Sequence, residues 1–100
     1  MKLWVDDVRV APNLDYFPVP SVNLAKNYIE YCEGCNRPLE LIDIDHDAGI
    51  YVKDGGDYIK LLDWLEETGR NYPIRIHSMN VVGRENMRRI IRRNGWKEIR

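Results

Sequence analysis

The chain is poor in several residues that commonly announce a function: it has two cysteines, two histidines and one phenylalanine in 100 residues. Cys32 and Cys35 of CEGC form a lone C-x-x-C. Without a second pair or neighbouring histidines they complete neither a disulfide framework nor a zinc site. They read as ordinary thiols where a helix stops near Gly34. No apolar run approaches the roughly 18 residues needed to span a bilayer. MKLWVDD also meets two carboxylates too early for a secretory signal. The expectation is a cytoplasmic protein with no membrane role. There is no internal repeat or low-complexity segment, and 44% hydrophobic with 31% charged residues suits one domain, 1–100, around a single core.

Charge of either sign is abundant but unevenly placed. The net charge is −1, yet residues 84–100 hold seven basic groups against Glu85 and Glu98. Such segregation steers an anionic partner to one side of a molecule, although a solvated helix face has the same composition.

Periodicity divides the chain into short alternating elements. KLWV and LELIDID read as strands, YFPVP as an edge strand because Pro18 and Pro20 cannot donate ladder hydrogen bonds, and PIRIHS and WKEIR as further strands. Ser21 caps a helix over VNLAKNYIEYC, Asp57 is placed to cap YIKLLDWLEET, and NVVGRENMRRIIRRNG is a third helix ending at Asn94-Gly95. Strands alternating with helices predict an α/β fold with a parallel sheet and helices on both faces.

In such sheets ligands bind beyond the carboxyl ends of the strands. Three predicted strand ends carry polar groups: Asp6 and Asp7; Asp45, His46 and Asp47; and His77, Ser78 and Asn80. Two carboxylates about 5 Å apart repel by about 3 kcal/mol at an effective dielectric of 20, so a gathered set calls for a cation. Oxygen-rich sites suit Mg²⁺ or another divalent cation, here near Asp6, Asp7 and Asp45. His46 and His77 are the only side chains whose ordinary range allows proton exchange near neutral pH. The helix opening at Asn80 and Gly83, with Arg84 close by, offers N–H donors to an anion, although capping by Asn80 needs no ligand.

The stretches KLWVDDVR, IDHDAG and IHSMNVVGRENM, in this order, resemble the cyclic-phosphate-processing receiver-like family, a branch related to response-regulator receiver domains. The similarity covers nearly the whole chain. It implies a receiver-like (flavodoxin-like) three-layer sandwich with a short parallel sheet of order 2-1-3-4-5, the first helix replaced by the loop DDVRVAPNLD. It further implies Asp6 and Asp7 as the acidic pair, Asp45 as the phosphoacceptor-like carboxylate and Ser78 as its accompanying hydroxyl. Family motifs add Arg9, His46, Asp47, His77, Asn80 and Gly83. There are departures. Lys97 stands early in the last segment where a receiver lysine would end it, Asp43 replaces a small hydroxylic residue, and Ala48 replaces a bulkier apolar one.

The expected activity is metal-assisted hydrolysis of cyclic phosphate ends on RNA or nucleotides. Asp45, His46 and His77 would be catalytic, and Arg9, Ser78, Asn80, Gly83 and Arg84 would hold phosphate. Arg88, Arg89, Arg92 and Arg93 would meet RNA. The alternative is a receiver-derived signalling or interaction module that binds Mg²⁺ and accepts phosphate on Asp45 without turnover. A third reading, a haloacid-dehalogenase-type D-x-D in DIDHD, is disfavoured because that pair normally follows the first strand of a larger domain.

Overall fold

The computed structural model describes residues 1–100. Strands β1 (Lys2–Val5), β2 (Tyr16–Val19), β3 (Leu41–Ile44), β4 (Ile74–Ile76) and β5 (Glu98–Ile99) are all parallel, in the order β2-β1-β3-β4-β5. Helices α1 (Val22–Gly34), α2 (Ile59–Glu67) and α3 (Val81–Asn94) alternate with them, and a short 3-10 turn spans Gly49–Lys53. This is the receiver-like α/β order that the resemblance implies.

The ends of the helices follow from local chemistry. Ser21 Oγ accepts the Leu24 N–H at 3.1 Å, Asn80 Oδ1 accepts the Gly83 N–H at 2.9 Å, and Gly95 closes α3 in the left-handed region at φ 67°. Asp57 does not cap α2. Its Oδ1 accepts the Ala48 N–H instead, and the helix begins behind Tyr58 with no side-chain cap.

Helices on both faces were the expectation from the alternating elements, but one face carries all three. Leu3 and Val5, Ile42 and Ile44, and Ile74 share one buried cluster with Ala25 and Ile29 of α1, Leu61 and Leu65 of α2, and Met87 and Ile91 of α3. The reason is handedness. From β2 onward each crossover moves the chain the same way across the sheet, and right-handed connections then place every helix on the same side. Only the β1 to β2 connection runs the other way, and it is the loop of residues 6–15 rather than a helix. The third layer of the sandwich is therefore thin.

That asymmetry explains the acidic strand. A strand sends successive side chains to opposite faces. In IDID, Ile42 and Ile44 enter the helix-covered core while Asp43 and Asp45 turn to the other face; LWVD and IRIH do the same with Trp4 and Asp6, and with Arg75 and His77. In register, Trp4 lies opposite Asp43 and Asp43 opposite Arg75. Cys32 is buried, Cys35 is exposed and both thiols are free. No helix is long and apolar enough to cross a membrane.

Candidate active site

Backbone bonds that continue the sheet past its strands position the rim. The N–H groups of Asp6, Asp45 and His77 donate to Val19, Val5 and Ile44 on the neighbouring strands, at 3.3, 2.9 and 3.0 Å. Three side chains far apart in sequence are thereby held side by side. One carboxylate oxygen each from Asp6 and Asp45 and a ring nitrogen of His77 lie within 4.8 Å of one another.

Asp6 is buried and fully engaged. Its Oδ1 accepts the N–H groups of Val8 and Arg9, while Oδ2 faces His77 Nε2 at 2.8 Å and Arg9 Nη1 at 3.4 Å. Burial pushes its pKa up, but the two backbone donors and the His77 ring outweigh this and hold it below the usual carboxylate range. Asp45 accepts its neighbour's His46 N–H on Oδ1 and the same Arg9 Nη1 on Oδ2, at 3.2 Å.

His77 lies between two acids. Nδ1 faces Asp43 Oδ1 at 2.7 Å and Nε2 faces Asp6 Oδ2 at 2.8 Å, while the ring stacks on Trp4. Ionised carboxylates accept hydrogen bonds and donate none, so a ring nitrogen facing one on each side is the arrangement that favours an imidazolium. Burial works against that charge, yet Asp43 and Asp6 together raise the pKa above its ordinary 6.5.

Asp43, a departure from the pattern of the family that the sequence resembles, is fully buried and fully paired. Oδ2 receives the Tyr16 hydroxyl at 3.1 Å and Arg75 Nη1 at 3.2 Å, and Oδ1 faces His77. Asp6, Asp43 and Asp45 thus meet three cations, Arg9, Arg75 and His77, which removes most of the repulsion expected among the acids. Trp4, Tyr16, Asp43 and Arg75 were missed as site residues. The signal that marks them is the apolar–polar alternation of LWVD, IDID and IRIH.

Asp7 lies outside the group of three, so His77 replaces it beside Asp6 and Asp45. Its carboxylate rests on Gly49, where a Cβ would sit 2.3 Å from Asp7 Oδ2. It still acts on the same space. Burial raises the pKa of the Tyr58 phenol, and the charges of Asp7, Asp6 and Asp45 raise it further.

On the other flank, His46 Nδ1 contacts Asp47 Oδ1 at 2.9 Å and Asn80 Nδ2 at 3.4 Å. An amide donor and a carboxylate acceptor demand opposite states of that nitrogen. In the tautomer that donates Nδ1–H to Asp47, the shorter of the two contacts, Nε2 is an acceptor. Gly83 lies against the ring, where a Cβ would come within 2.4 Å of it. Ser78 is buried and its Oγ accepts the Asn80 N–H. Asn80 serves as the plain helix cap, and the half-buried Arg84 has an Nε that meets no acceptor.

The donor set suits a hard divalent cation: carboxylate oxygens of Asp6 and Asp45 converge, and a guanidinium already bridges them. Arg9 is 45% exposed, so solvent reaches the guanidinium that bridges the two acids. Lys97, by contrast, is exposed and precedes β5, at the opposite end of the sheet from the rim. The receiver lysine has no counterpart there, and the cation touching Asp45 is Arg9.

Of the arginines on α3, Arg88 pairs with Glu98, Arg92 with Glu85 and Arg93 with Glu66, while Arg89 reaches only Asn86. A groove of about 450 Å³, lined by Arg9, Val10, Leu14, Tyr16 and Pro18 among others, opens beside the acidic cluster.

No curated protein and no solved structure shows significant similarity to the chain. The profile of a protein family described as the cyclic-phosphate processing receiver domain matches residues 1–93. With the receiver strand order and the acids gathered at the carboxyl rim, the chain belongs to that family.

Proposed function

We propose that the chain hydrolyses a cyclic phosphate at the end of an RNA or on a nucleotide, with Mg²⁺ or a similar divalent cation. The observation that supports this most is the convergence of Asp6, Asp45 and His77 at one rim, with His46 on its flank. His77 directs Nε2 at Asp6, where a protonated ring donates, and His46 has Nδ1 on Asp47, which reserves Nε2 for a proton from water.

Held by Asp6 and Asp45 with Asp7 beside them, the cation would neutralise charge on the phosphoryl oxygens. Arg9 turns from the acids to the substrate phosphate, and Arg84, Ser78 and the N–H groups of Val81 and Val82 at the start of α3 hold its other oxygens, since those of Asn80 and Gly83 are taken by Ser78 and the cap. His46 Nε2 takes a proton from water as its oxygen bonds to phosphorus. The bond from phosphorus to one ribose oxygen breaks, and His77 gives that oxygen its proton. One water is consumed, the ring opens to a monoester, and the two histidines return to their starting states through solvent. The groove beginning at Arg9 and Tyr16 receives the nucleoside. Arg89, Arg88, Arg92 and Arg93 contact the phosphates of a longer strand, since exposed ion pairs such as that of Arg92 yield readily.

The test is opening of a 2′,3′-cyclic nucleotide by purified protein with and without Mg²⁺. Metal-dependent release of the monoester, lost in His77→Ala, is expected. Equal turnover by His77→Ala would remove its role as proton donor.

A second reading, a receiver-derived interaction module without turnover, draws support from apolar side chains left exposed near the rim: Ile50, Met79, Val81 and Val82. In that case acetyl phosphate with Mg²⁺ should give a labile mass adduct that is absent in Asp45→Asn, with no hydrolysis of cyclic substrate.

A further inference from the structure

We propose that Asp43 is a positioning residue, which through Nδ1 of His77 sets the imidazole with Nε2 turned to the acidic rim. This rests on the reading of His77 as proton donor.

The geometry distinguishes Asp43 from an ordinary buried counter-ion. Its two oxygens have separate duties. Oδ2 is held from both sides, by the Tyr16 hydroxyl of β2 and by Arg75 Nη1 of β4, while Oδ1 is left to His77 alone at 2.7 Å. With Oδ2 pinned from two strands, the carboxylate cannot rotate, and the direction of Oδ1 is set by the sheet itself. The ring has one remaining freedom, rotation about its own bonds, and the face of Trp4 closes it: the planes are 1° from parallel with centroids 4.0 Å apart. Nε2 is then directed at Asp6 and its neighbour Asp45. An acid or base oriented by a third group is the arrangement that proton-transfer sites require.

Asparagine at position 43 keeps the shape but has a single carbonyl oxygen for two duties. With that oxygen on Tyr16 and Arg75, its NH₂ faces His77 Nδ1 as a donor and demands an unprotonated nitrogen there. The proposal therefore has a direct spectroscopic signature. In long-range ¹H–¹⁵N spectra of uniformly labelled full-length protein, Nδ1 of His77 should show the shift of a protonated nitrogen. It should become unprotonated in Asp43→Asn, while Tyr16→Phe, which leaves Oδ1 in place, keeps the parent signature. A parent Nδ1 without a proton, or one that stays protonated in Asp43→Asn, would overturn the role.

Should Asp43→Asn fail to fold, the parent and Tyr16→Phe spectra still decide, because neither requires that variant. With a 2′,3′-cyclic nucleotide as substrate, Asp43→Asn should lower kcat by about 10²-fold or more while KM stays within about twofold, as expected when an acid is misaligned rather than a binding group lost. A matched fall in kcat and in the fraction folded would mark Asp43 as structural only. A parent protein that opens no cyclic nucleotide defeats the hydrolytic reading, and the spectra judge Asp43 independently of it.

Discussion

The indole of Trp4 lies flat against the imidazole of His77, with ring centroids 4.0 Å apart. The indole N–H of the same residue donates to the Arg9 carbonyl at 3.0 Å, so one side chain supports both the histidine and the loop that carries the arginine. Trp4 is only 5% exposed. Replacement by alanine should cost about 3–5 kcal/mol from lost burial, with a cation–π loss of about 0.5–2 kcal/mol included for the charged ring. Trp4→Phe keeps a stacking face and should cost markedly less. Urea unfolding of the two variants checks the order.

Gly83 tests the contact between α3 and His46. Alanine in a helix normally gains about 1 kcal/mol over glycine. Here its Cβ would meet three ring atoms of His46 at 2.4–2.8 Å. Gly83→Ala should therefore destabilise the protein, by about 1–3 kcal/mol as for other overpacked sites, and impair hydrolysis by displacing the ring. A variant more stable than the parent would mean that the imidazole yields without penalty.

Arg9 already occupies Asp6 Oδ2 and Asp45 Oδ2, so a divalent cation held by these acids would compete with it. Arg9→Ala should bind Mg²⁺ more tightly in calorimetric titrations, because the cation no longer displaces a guanidinium, yet bind inorganic phosphate more weakly. Unchanged metal affinity would place the ion away from these two acids.

The stability of the metal-free protein should depend on pH from both sides. The Asp6 pKa is held below its ordinary 3.8, so its contribution is present above that value and is lost as pH falls through the depressed pKa. The His77 pKa lies above its ordinary 6.5, so its contribution is full below 6.5 and is lost as pH rises through the raised pKa. Both act together between about pH 4 and 6.5. Urea midpoints followed across this range should peak there, and His77→Gln should flatten the alkaline side. A parent curve that stays level well above neutral pH would contradict the imidazolium assignment.

Much of this was legible in the chain. Ser21, Asn80 and Gly95 end helices through chemistry local to a few residues, and the structure uses them as their types suggest. Pro18 marks β2 as an edge strand because a missing N–H is a covalent fact. Asp57 misled because a carboxylate near a helix start has several N–H groups in reach, and the loop brings Ala48 closer than the first turn.

The amino-acid order alone determined the alternating elements, the caps and the placing of acids and histidines at strand ends, since each depends on residue type and short-range spacing. Partnership was decided only in three dimensions. Whether Asp43 is a burden or a brace depends on Tyr16, Arg75 and His77, which lie 27, 32 and 34 residues away and reach it only through sheet register. The choice of Arg9 as the cation touching Asp45, 36 residues apart, has the same origin. Hydrogen bonds act over about 3 Å of space, and only the folded sheet converts distance along the chain into distance of that order.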